Sequence, residues 1–329
     1  MMRSLYLHLG APCTGAAAFQ AFLKRNRKPL AERGILSPDG DDAHACGLDA
    51  LLRGEVTATA LADSIEMQIA DTRGNAEVRA VVLSDGQSIM RRDQAPLAAL
   101  AERFVVRPIY VLRRQDLWLE SWFRQNAIRR WNSDLAQASF PEFLSHRSDF
   151  HWINYDRTVR RLDALFDARN VILPVFETAH MPDGPLAALA QAIGLEDLDG
   201  LDMTDRGDAG LSPLMTEFMR SLPLDRLTAA ARLRVERACR VADAELMQSL
   251  SQSNFYMDHS TRRAVMADYQ DGNAGLARRR FGRAELFAEP LPAADAPLAM
   301  QNLPAGSYDL VRLVVAPVLA ELARADDPV

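Results

Sequence analysis

Residues 4–9 form a short apolar run, rich in β formers, that stops at Gly10 and reads as a buried strand. From 14 to 26 the period changes, and Phe19, Phe22 and Leu23 recur at helical spacing. Pro29 starts a second short helix, and Gly34 closes it as a C-cap. Three further runs, 78–84, 104–113 and 170–176, are almost continuously apolar, the pattern of strands buried on both faces. Helical patterns at 57–72, 93–102, 115–131 and 155–166 separate them. Strands alternating with helices predict an α/β fold, a parallel sheet flanked by helices. Beyond Glu177 the strand signal ends, and 186–193, 212–222, 226–250 and 260–281 are helical. Residues 284–306 carry Pro290, Pro292, Pro297 and Pro304 among many alanines and read as a linker. A last helix at 307–323 places Leu310, Leu313, Val314, Val318 and Leu322 near one face, which predicts that it docks back on the domain.

The chain has 329 residues, enough for two domains or for one α/β domain with a helical extension. With 48% hydrophobic and 25% charged residues it has the composition of a soluble protein with a core, which excludes disordered, collagenous and disulfide-scaffold classes. A net charge of −6 argues against a general nucleic-acid binder while leaving room for a local basic site. Three widely spaced cysteines, Cys13, Cys46 and Cys239, make neither a disulfide framework nor a zinc site and suit a reducing cytoplasm. The apolar N-terminus is broken by His8, Gly10 and Pro12, and only Arg3 precedes it, so it is a poor signal peptide. No stretch reaches the roughly 18 apolar residues that a transmembrane helix needs. These features give a cytoplasmic expectation. Only two of the 38 basic residues are lysines, Lys24 and Lys28.

The turn from His8 to Gly15 joins the first strand to a helix. The N–H groups and positive dipole end of a helix N-terminus suit an anion, and Gly10 and Gly15 permit a tight backbone. The pattern GxxxxGK[ST] is absent, because Ala16 and Ala17 follow Gly15, which weighs against an ATPase or kinase. A second element runs from Ile109 to Phe123, with Arg113 at a strand end and Ser121 eight residues on. Taken alone, Arg113 and Arg114 read as solvated charges at a helix start. Taken with the turn, an arginine at a strand end can fork onto phosphate oxygens.

Read with its surroundings, His8-Leu9-Gly10-Ala11-Pro12-Cys13-Thr14-Gly15-Ala16-Ala17-Ala18-Phe19-Gln20 resembles the opening H-I-G-x-x-K-T-G-T-T-x-L-Q of bacterial sulfotransferase-family proteins. Leu23, Asn26, Arg27, Leu30, Gly34, Ile35 and Pro38 continue in register. The Arg113–Ser121 spacing resembles the family's 3′-phosphate segment. Asn154-Tyr155-Asp156 through Val175-Phe176-Glu177 resembles its helix and last core strand, and 262–281 its C-terminal helix, with Asn273 in register. The resemblance, from about Leu5 to Phe287, implies a P-loop-like three-layer α/β fold with a helical C-terminal extension. It places a sulfotransferase-like domain at 1–283 (core sheet 1–180, helical part 181–283), before the linker 284–306 and a terminal helix 307–329. It also implies 3′-phosphoadenosine-5′-phosphosulfate (PAPS) as sulfuryl donor, no metal, and a hydroxyl or amine acceptor such as a carbohydrate. The cofactor-binding residues it implies are Gly10, Pro12, Cys13, Thr14, Gly15, Ala16, Ala17, Arg113 and Ser121.

Four positions depart from the family pattern. Cys13 stands where the family's lysine neutralises the leaving phosphate, and a thiol supplies no cation. Ala16 and Ala17 replace two hydroxyl donors. Gly86 occupies the family's base-glutamate position, which leaves neighbouring Asp85 and His8 as candidate bases and Arg91 or Arg92 as stand-ins for the lysine. Asp85 also reads as a turn residue before glycine, and His8 as a structural histidine. Two functions stay open: a PAPS-dependent sulfotransferase, or a catalytically impaired relative that binds nucleotide, glycan or a partner protein. Trp118, Trp122 and Trp131 read equally as core or as a sugar platform.

Overall fold

The structure is a computed structural model that describes residues 2–38, 43–72, 77–204, 210–249 and 253–326. Its Cα packing divides the chain into two interleaved units. The first comprises Met1–Gln115, Phe150–Asp208 and Ala267–Pro290; the second comprises Asp116–Asp149, Ala209–Met266 and Leu291–Val329.

The first unit holds the parallel sheet. Its strands are β1 (Ser4–Leu9), β2 (Ile35–Leu36), β3 (Ala80–Asp85) and β4 (Val105–Ile109), in the order β2-β3-β1-β4. β1 pairs with β3 on one side and β4 on the other, so nearly all its residues are buried, as its unbroken apolar run requires. β5 (Leu112–Arg113) and β6 (Val175–Phe176) form a second parallel pair.

The single strand predicted over 104–113 is therefore split, and the one over 170–176 shortened. Backbone bonds nevertheless run along both segments: Ile172 donates to the Pro108 carbonyl at 2.8 Å, Tyr110 to Ile172 at 3.0 Å and Leu112 to Pro174 at 2.8 Å. The next ladder bond would need an N–H on Pro174, and proline has none.

Helix Ala16–Arg25 buries Ala16, Phe19, Phe22 and Leu23. The last three join Tyr6, Val82, Leu186 and Leu189 in one core cluster. Helices Ala58–Asp71 and Tyr155–Phe166 follow the predicted spans, the second to the residue. Among the described strands and α-helices, three were not anticipated: β2, and helices Ala43–Leu52 and Phe140–Ser145. The last begins with a capping box from Ser139 and Glu142, a signature present in the sequence.

In the second unit, Val314 and Val318 of the C-terminal helical run are buried against Cys239, Ala242 and Leu246 of helix Ala229–Ser249. Leu310, Leu313 and Leu322 pack at the edge of the same cluster, so the predicted apolar face is the docking face. Leu250 and 327–329, which the sequence reading placed in helices, lie outside the described residues.

The proline-rich segment forms no helix or strand, yet it is tied down rather than free. In the first unit Ala288 and Glu289 donate backbone N–H bonds to Glu177, and Arg114 donates to the carbonyls of Glu289 and Pro290. In the second, Ala299 donates to the Phe255 carbonyl at 2.6 Å.

The second unit also buries an ion cluster. Arg262 reaches Asp116 at 2.6 Å and Glu120 at 2.7 Å. Glu120 accepts further bonds from the N–H groups of Tyr256 and Met257. Removing one partner of such a cluster leaves buried charge uncompensated. Arg262→Ala is expected to cost about 3–5 kcal/mol of unfolding free energy by urea titration. Arg160→Ala, whose pair with Asp156 is exposed, should leave the urea midpoint nearly unchanged.

Candidate functional site

The connections leaving β1 and β4 run toward opposite edges of the sheet, which puts a topological switch point at the carboxyl ends of these neighbours. Open α/β sheets bind ligands in the crevice there. The β1 turn occupies this position.

Its shape follows from three residues. The Gly10 N–H bonds the Asp85 carbonyl at 2.8 Å, and a Cβ on Gly10 would lie 2.5 Å from that oxygen, so only glycine allows the approach. Cys13 and Gly15 both adopt positive φ, 66° and 86°, with Thr14 between them. The buried Thr14 hydroxyl ties the turn to itself through the Ala11 carbonyl at 2.6 Å. Helix Ala16–Arg25 then begins with no side-chain cap and no acidic residue in its first turn, so its dipole end is left electropositive. Pro12 and Ala16 are buried, Cys13 is half-buried and Ala17 is exposed.

Arg113, at the end of β5, reaches this turn. Its Nη1 donates to the Cys13 carbonyl at 2.6 Å, and its guanidinium carbon lies 5.1 Å from the centre of the Phe176 ring. The Tyr155 hydroxyl accepts from the Arg113 N–H at 3.1 Å and donates to the Arg113 carbonyl, which fixes the backbone beneath the side chain. Tyr155 in turn packs edge-on to Tyr110. Arg114 leaves the extended backbone the other way and is spent on the Glu289 and Pro290 carbonyls. Ser121 is buried on helix Gln115–Arg129 and belongs to the second unit.

The candidate bases both hold structural positions. His8 is fully buried, with Nδ1 2.8 Å from the Ser84 hydroxyl and its ring edge-on to Phe19. Burial pushes its pKa down to about 4, so the ring is neutral. Asp85 turns back to accept the Gln87 N–H at 2.6 Å, the turn arrangement its sequence allowed. Its carboxyl is nearly buried, and that burial raises its pKa. Among the stand-ins for the lysine, Arg91 is paired with Asp49, whereas Arg92 is exposed.

Two residues without an assigned role in the sequence reading support the site. Gln20 donates to the Ser84 carbonyl at 3.0 Å, tying helix Ala16–Arg25 to the end of β3. Tyr155 holds Arg113; nothing in its local sequence marks this, because the two meet only through the fold. Trp118 and Trp122 are buried and stacked at 5.4 Å, and Trp131, stacked on Trp122 at 5.0 Å, is partly exposed. These three lie in the second unit. Among the described residues, no helix is long and apolar enough to cross a membrane.

No protein-family model matches the chain, and no curated protein does. Among solved structures, it is similar to the crystal structure of a sulfotransferase from Alicyclobacillus acidocaldarius. The identity is 15%, the match covers 80% of this chain and 100% of that one, and the TM-score is 0.39.

The buried His8 makes a prediction about pH. An unfolded chain takes up a proton near pH 6.5 that the folded chain refuses until about 4. The stability tied to His8 is therefore complete above 6.5, and up to about 3 kcal/mol of it is lost as pH falls to 4. Urea titrations across this range should show that loss, and His8→Gln should flatten it. An unchanged slope in the variant would place the titration on another group.

Proposed function

We propose that this chain is a sulfotransferase-like protein whose first unit binds PAPS at the β1 turn. The hydrogen bond from Arg113 to the Cys13 carbonyl carries the reading. It joins two elements, a hundred residues apart in sequence, that the family resemblance assigns to the phosphates of one nucleotide. The turn would receive the 5′-phosphosulfate on its N–H groups and the helix dipole. Arg113 would receive the 3′-phosphate. Gly10, Pro12, Cys13, Thr14, Gly15, Ala16 and Ala17 would shape the cradle, and the transfer proposed is to a hydroxyl or amine, with carbohydrate as the acceptor class. None of these steps calls for a metal.

Specific observations favour the second reading, a nucleotide-binding relative with impaired transfer. Cys13 brings no cation to the turn, Asp85 is held by its own turn, and His8 is sealed in the core. Losing one electrostatic stabiliser costs about 10²–10³ in rate.

Incubation with radiolabelled PAPS and a panel of glycan and amine acceptors separates the two. Label transfer supports the enzyme; tight nucleotide binding without transfer supports the impaired relative; no nucleotide binding sinks both. Within this reading, Arg113→Ala should weaken 3′-phosphoadenosine 5′-phosphate by at least about tenfold, and adenosine 5′-phosphate much less. Tyr155→Phe should show the same preference at about three- to tenfold, the worth of one hydrogen bond. Calorimetric titration of both nucleotides measures the ratio. A Cys13→Lys variant that gains turnover would show that the turn keeps a productive shape.

A further inference from the structure

Most arginines around the helix Tyr155–Phe166 meet a carboxylate. Arg160 and Arg279 share Asp156 at 2.9 and 2.7 Å, and Arg280 pairs with Asp163. Arg157 and Arg161 do not. They stand four residues apart on this helix and so share a face. Among the described residues, no carboxylate lies within 4.0 Å of either one, or of Arg92.

Arg161 brings Arg92 to the same place, since its Nη1 donates to the Arg92 carbonyl at 2.8 Å. Its Nε and Nη2, the edge of a guanidinium that forks onto two oxygens, are buried without a hydrogen-bond partner in the protein. His151 closes the patch, with Nε2 3.1 Å from the carbonyl of Met90, two residues before Arg92. The charges act on one another. After burial, Arg92, Arg161 and Arg157 all depress the His151 pKa, and Arg157 depresses that of Arg161. Asp93 is the opposing carboxylate that Arg161 feels, and its Oδ1 is engaged by the Ala95 N–H at 2.8 Å. Positive groups crowded in this way favour an anion among them.

We propose that Arg92, Arg157 and Arg161, walled by His151, bind a tetrahedral oxyanion, phosphate or sulfate, either free or carried on a larger molecule. Arg161 grips two oxygens through Nε and Nη2, and Arg92 and Arg157 supply the remaining charge. The site shares no residue with the β1 turn or with Arg113, and it stands whether or not the PAPS reading holds.

Calorimetric titration of the full chain with inorganic phosphate and with sulfate, at low ionic strength, tests it. Saturable binding is expected, weakened at least about tenfold in Arg161→Ala and in the exposed-site variant Arg157→Ala. Arg161→Lys keeps the charge but loses the fork and should weaken binding by about fivefold. Arg160→Ala, which removes a neutralised arginine of the same helix, should change nothing. Glucose 6-phosphate and glucose 6-sulfate separate the sources: tighter binding than the free ions assigns a carried group, equal binding a free one. Absence of binding, or wild-type binding by a folded Arg157→Ala, overturns the site. So does a phosphate signal that 3′-phosphoadenosine 5′-phosphate displaces and Arg113→Ala weakens, since the ion would then sit at the β1 turn.

Discussion

Everything at the candidate site depends on β1 being a central strand between two parallel neighbours. Parallel pairing sends β1, β3 and β4 out of the sheet at the same edge, so their following turns crowd together. The Gly10 N–H then meets the Asp85 carbonyl, and the continuation of β4 carries Arg113 back over the turn. Had β3 or β4 been antiparallel, these residues would lie at opposite ends of the sheet.

The crowding explains why the residues beside the turn do structural work. Ser84 is used by both His8 and Gln20, and Asp85 caps the chain as it leaves β3. These bonds make the turn rigid, and a rigid set of backbone N–H groups is what an anion site needs. The same bonds draw His8 and Asp85 away from proton transfer. Cys13 brings no cation of its own to the turn, and the charge there comes from Arg113.

The two consecutive arginines show how finely the backbone divides roles. Extended residues point alternately, so Arg113 faces the turn while Arg114 faces the 288–290 segment. Arg114 and Glu177 hold that segment from its carbonyl and N–H sides respectively. A stretch rich in proline, unable to build its own ladder, is fixed by side chains in place of backbone partners.

Much of this was legible in the sequence because it is local. Continuous apolar runs gave β1 and the body of β3; helical periodicity gave the helix Tyr155–Phe166 and the docking face of the C-terminal helix; Gly10 and Gly15 marked the turn. What stayed hidden is pairwise and long-range. β2 is two residues at a sheet edge, too short for a period. The break between β4 and β5 lies in the missing N–H of Pro174, more than 60 residues beyond the break. The protonation of His8 depends on how completely Phe19 and the sheet cover it, and the roles of Tyr155 and Arg161 on which backbone they meet. Chain chemistry sets which groups can bind an anion, because it is a property of each residue. Which of them converge, and which are spent on the scaffold, is decided only when distant segments pack, because burial and hydrogen bonding depend on neighbours that the local sequence does not contain.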